Sequence, residues 1–85
     1  MAYGDYDGPN KPDKGKEGGS CNRTRCQASP ADWFNHGSRS WYCLDCRIDI
    51  QFDQANQDVW QTLHGDRPMF ETREMINARQ AEGHQ

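Results

Sequence analysis

Eighty-five residues, 33% of them hydrophobic and 27% charged, allow one domain with a thin core. A net charge of −3 at pH 7 argues against a uniformly basic nucleic-acid binder. No apolar run approaches the roughly 20 residues that cross a bilayer.

Residues 1–20 are rich in Gly, Pro, Lys and Asp. Ordering them gains too little burial to offset the entropy lost, so a disordered arm is expected over 1–20. The N-terminus has neither the basic nor the apolar part of a secretory leader. A reducing compartment, the cytoplasm, is therefore expected, where paired cysteines read as metal ligands before disulfides.

The folded part is expected to open at Cys21-Asn-Arg-Thr-Arg-Cys26. After a loop, Trp33–Tyr42 reads as a β-hairpin with its turn at His36-Gly37, where positive φ is tolerated. Cys43-Leu-Asp-Cys46 is expected as a tight turn whose backbone N–H groups can point at the sulfurs. Arg47–Phe52 then alternates polar and apolar residues, the pattern of a strand. Asp53 is a good N-cap for a helix over about 54–64, with Phe52, Asn56, Val59, Trp60 and Leu63 on one stripe and Gly65 closing it. A second helix is expected from Met69 to about Glu82, started by Pro68. The predicted fold is thus small α+β: a zinc-stapled hairpin module over 21–52 and a helical segment over 53–85, after the arm.

Cys21, Cys26, Cys43 and Cys46 form two short pairs separated by sixteen residues. Structural zinc takes four ligands in a tetrahedron and favours thiolates; each pair supplies half, and the hairpin brings the halves together. One structural Zn2+ is the expected cofactor. Its binding contributes on the order of 10–16 kcal/mol in small fingers, more than so thin a core supplies alone. A two-disulfide scaffold, an iron tetrathiolate, or His36 or His64 in place of one cysteine are the alternatives.

Pair, hairpin and pair, over about residues 19–52, resemble the zinc-ribbon and related β-hairpin zinc fingers. The polar tail, Cys21-Asn-Arg-Thr and Trp33-Phe-Asn-His36 are also similar to small zinc-finger proteins of tailed bacteriophages. The chain departs from the standard ribbon in its x4 first pair and in Arg47, where ribbons often carry glycine.

A closed four-cysteine site has no open position for catalytic water, and no phosphate loop or zinc-protease signature appears. The expected function is a non-enzymatic, zinc-stabilised binding adaptor with no membrane and no small-molecule substrate. A protein partner, a larger machine, is favoured; the phage resemblance implies host transcription or defence machinery in the host cytoplasm. The alternative is nucleic acid, with Arg23, Arg25, Arg39 and Arg47 on phosphates and Trp33, Trp41 or Tyr42 stacking on bases. Neighbouring hairpin rings must point to opposite faces, so one face is expected to remain as a binding surface.

Overall fold

The sheet is built around the hairpin, in the order β2-β1-β3 and antiparallel throughout. The computed structural model describes residues 6–83. Strand β1 (Trp33–Asn35) pairs with β2 (Ser40–Tyr42) in the register Trp33–Tyr42, Phe34–Trp41 and Asn35–Ser40. Strand β3 (Phe70–Glu71) adds to the other side of β1, opposite Asn35 and Phe34. Helices α1 (Leu44–Gln51), α2 (Gln54–His64) and α3 (Arg73–Gly83) complete a small α+β fold.

The alternation of side chains divides the core between the two faces of the sheet. Tyr42 and Phe70 lie with the four cysteines on one face, with Trp33 packed against them. Trp41 lies with Ala31 and Ile76 of α3 on the other, where Phe34 joins them. Both faces therefore carry packed core residues. The expectation of a hairpin face left bare is corrected, because α3 folds back over it.

The turn differs in detail from expectation. The Asn35 carboxamide accepts the N–H groups of Gly37 and Ser38 at 2.7 and 3.0 Å, and the positive φ falls on Arg39, at 58°. An Asx turn thus displaces the left-handed residue from the His36-Gly37 position.

Two strand and helix boundaries are also corrected. Arg47–Phe52 is not a strand: α1 starts directly after Cys43, so the second cysteine pair spans a helix start rather than a free turn. Cys46 and Ile50, one helical turn apart, face the core, a placement as compatible with the residue pattern as strand alternation. The last helix does not begin at Pro68. Met69 and Phe70 are buried at the sheet, and α3 starts after Thr72, whose hydroxyl accepts the Met75 N–H at 3.3 Å.

Helix α2 has the expected bounds and ends. Asp53 accepts the Asn56 N–H at 3.1 Å, and Gly65 closes the helix at φ 67°. Its stripe reaches the core only through Trp60: Val59 and Leu63 are 58% and 69% exposed, and Phe52 is 61% exposed.

The arm expectation fails over residues 6–20, whereas residues 1–5 lie outside the described part. Gly15 O accepts the Trp41 N–H at 3.1 Å, and the Asn22 N–H donates to Trp41 O at 3.0 Å. These bonds cover the outer edge of β2, which would otherwise stand unpaired. Gly18 N–H donates to Ala31 O, and Ala31 N–H to Gly19 O, both at 2.9 Å. Gly15 cannot be replaced cheaply, since at φ 79° an added Cβ would meet Asn22 Oδ1 at 2.5 Å.

Candidate metal centre

The first pair is shaped by a turn in which the Arg23 carbonyl accepts both Cys26 N–H and Gln27 N–H at 3.0 Å. Gln27, at φ 48°, carries the chain out of that turn in the left-handed region. Its fully buried side chain explains how a non-glycine residue is held there. Oε1 accepts the Lys11 N–H at 2.7 Å, and Nε2 donates to Thr24 O at 2.7 Å and Asn10 Oδ1 at 3.2 Å. The second pair is positioned by α1, with Cys43 as its N-cap residue and Cys46 in its first turn. The positive end of the helix therefore lies at the sulfurs, where it favours thiolate.

The hairpin brings the pairs together. All four Sγ atoms lie within 4.8 Å of one another, and all four residues are buried. Cys26 and Cys43 Sγ are 3.6 Å apart, and none of the four is in a disulfide. A Zn–S bond of about 2.3 Å gives a tetrahedron with sulfurs about 3.8 Å apart, so the donor set and its spacing fit such an ion. The cluster can hold a metal ion. Neither His36 nor His64 belongs to it.

Without a cation the sulfurs are electrostatically uncomfortable. Burial pushes the Cys43 thiol up to about 11. Burial also raises Cys46, reinforced by the neighbouring thiols. At Cys26 burial acts upward too, but the Ala28 backbone N–H and the other three sulfurs outweigh it, and the thiol is lowered. A divalent cation would stabilise the thiolates and displace their protons.

The other residues singled out in the sequence are placed differently from one another. Arg23 pairs with Asp49 at 2.7 Å, and Arg25 is exposed. The Arg47 guanidinium lies over the Trp33 ring, 4.2 Å from its centroid. Trp41 and Tyr42 are each 7% exposed, so these rings sit in the core. The Tyr42 hydroxyl is bonded to Asn22 Nδ2 at 3.1 Å and Ser38 Oγ at 3.0 Å. Arg39 stands apart from the other three arginines, in a cavity with Arg67 and Arg79.

That cavity was not legible in the sequence. Its floor is Glu71, 6% exposed, which accepts from Arg79 Nη2 and is bonded to His36 Nε2, both at 2.7 Å. The hydrogen bond from Arg79 lowers the Glu71 carboxyl below its ordinary value, against the opposing effect of burial, and His36 adds to the lowering. The contributing residues come from the hairpin, α2, the loop after it and α3, and only the tertiary fold brings them together.

Comparison with family models, curated proteins and solved structures finds no match. Among the described residues, no helix is long and apolar enough to cross a membrane.

Proposed function

We propose that this chain is a zinc-stapled, non-enzymatic binding adaptor whose partner is a protein. The observation that carries the reading is the exposed apolar side chains of α1, its C-cap Phe52 and α2, here called the apolar row. Leu44 and Ile48 are 51% and 43% exposed, and Phe52, Val59 and Leu63 are more so. Five large apolar side chains in solvent are unusual for a chain with so few of them, and such rows mark docking surfaces.

The charge around the row selects the partner. Between residues 44 and 66 the chain has five aspartates and one arginine, which repels phosphate backbones and suits an apolar, basic segment of a larger protein. Zinc is the ion proposed for the cluster, since four thiolates in a closed tetrahedron are its usual structural set. In this reading the metal holds the hairpin and the start of α1, and through them it presents the docking row.

The test compares capture from the source cell by wild-type protein and by a Val59→Ser/Leu63→Ser variant, with and without nuclease. The expected result is a nuclease-resistant protein retained by the wild type and lost from the variant, with zinc content and melting temperature unchanged. Retention of nucleic acid alone, or equal retention by the variant, would overturn the reading.

A further inference from the structure

We infer that the cavity beside the hairpin turn is a binding site for a nucleotide: a flat base carrying at least one phosphate. It is about 520 Å³ in volume, within the range of sites that hold small ligands. The site is independent of the apolar row, and the inference stands whether or not that row binds a protein.

Charge is the first argument. Arg39, Arg67 and Arg79 line a cavity that contains one carboxylate, in a protein whose net charge is −3. Glu71 is already occupied by Arg79 and His36. Among the described residues, the guanidinium groups of Arg39 and Arg67 are paired with no carboxylate. The Arg39 and Arg67 guanidinium forks, one from the hairpin turn and one from the loop after α2, provide the donors that a phosphate accepts.

The walls supply the second argument. The Trp60 and His64 rings stack with centroids 4.0 Å apart and 35° between their planes. Trp60 is anchored by its Nε1–H to Arg67 O at 2.6 Å, which ties the ring to the segment that carries a free guanidinium. Phe34 lines the same space and meets His36 edge-on at 5.0 Å. An aromatic wall next to unpaired arginines matches a base and its phosphate, because rings stack on any base. An acidic peptide would use the charge and leave the rings unexplained.

The buried Glu71 carboxylate ties Arg79 of α3 to His36 of the hairpin turn, so these two groups of the cavity wall are held in place by one shared partner. A site whose groups are fixed in advance binds with less ordering cost.

The experiment uses the full zinc-loaded chain and follows the Trp60 indole and Phe34 ring signals by NMR, with calorimetry for affinity. The probes are AMP, adenosine, inorganic phosphate, a glutamate-rich peptide and a short single-stranded oligodeoxyadenylate. AMP or the oligonucleotide is expected to move both ring signals, with adenosine and phosphate each weaker by about tenfold or more. Arg39→Ala and Arg67→Ala, both at exposed side chains, are each expected to weaken binding about tenfold with zinc content unchanged. Binding of the oligonucleotide no tighter than AMP identifies a free nucleotide as the ligand; clearly tighter binding identifies a nucleotide within a strand. Silence from every probe up to roughly millimolar, indifference to both arginine variants, or equal binding of the glutamate-rich peptide would overturn the inference.

Discussion

Arg73 grips the carboxylate of Glu17 across 56 positions of sequence, with Nε at 3.2 and 3.1 Å from its two oxygens and Nη2 at 2.8 Å from Oε1. The pair joins the N-terminal segment to α3. Both side chains are about half exposed, so solvent screens the attraction and its contribution is small. The segment is held chiefly by backbone bonds to Trp41, Ala31 and the Gln27 side chain. A chain beginning at Cys21 is therefore expected to melt well below the full chain, whereas Glu17→Ala should change the melting temperature little. Thermal melts followed by near-UV circular dichroism check both; an unchanged melt for the truncated chain would show that the β2 edge needs no cover.

The cysteine cluster predicts one zinc per chain with sulfur-only coordination, measurable by elemental analysis and X-ray absorption. Cys26→Ser and Cys43→Ser should each lose the metal and the folded NMR dispersion, as should a strong chelator. The reason is magnitude: about 10–16 kcal/mol of zinc binding against the 5–15 kcal/mol net stability typical of a native domain. A chelated protein with native dispersion would refute metal-driven folding.

Among the described residues, the two non-glycine residues at positive φ, Gln27 and Arg39, should respond in opposite senses. Gln27→Ala leaves the Lys11 N–H and the Thr24 carbonyl without their partner and should cost about 2 kcal/mol or more. Arg39 is exposed in the turn, so Arg39→Gly relieves backbone strain at φ 58°. It should be neutral or stabilise by up to about 1 kcal/mol. Urea denaturation of both variants measures the difference in sign.

Glu71 gives a pH dependence. Its folded-state pKa lies below its ordinary value of 4.5 because Arg79, then His36, favour the carboxylate over the opposing burial. The stabilisation is therefore complete above about pH 4.5 and is lost as pH falls through the folded-state value. The stability difference between wild type and Glu71→Gln should shrink as pH falls from 5 to 3. Comparing the two proteins at each pH removes the shared acid lability of the metal centre. A difference that does not change between pH 5 and pH 3 would mean that the carboxylate is not favoured by the fold.

Some of the molecule was determined locally and could be read without a structure. The four cysteines, two short pairs with a hairpin between, imply a cluster because each pair is geometrically constrained by its own loop. Asp53 and Gly65 mark α2 because a cap acts on backbone groups within a few residues of itself. The divergence of Trp33 from Phe34 and of Trp41 from Tyr42 follows from the pleat of a strand. Long-range contacts decided the rest. Arg47–Phe52 fits a helix or a strand equally in its residue pattern, and the placement of Cys46 and Ile50 toward the core favours the helix. Residues 6–20 lack apolar burial and are ordered instead by backbone partners on β2 and at Ala31, which composition cannot reveal. The exposure of Val59 and Leu63 depends on where α2 lies, not on their own character. Arg39, Arg67 and Arg79 line one cavity with Glu71 only because β3 pairs with β1 and α3 folds back across the sheet, which joins segments distant in sequence.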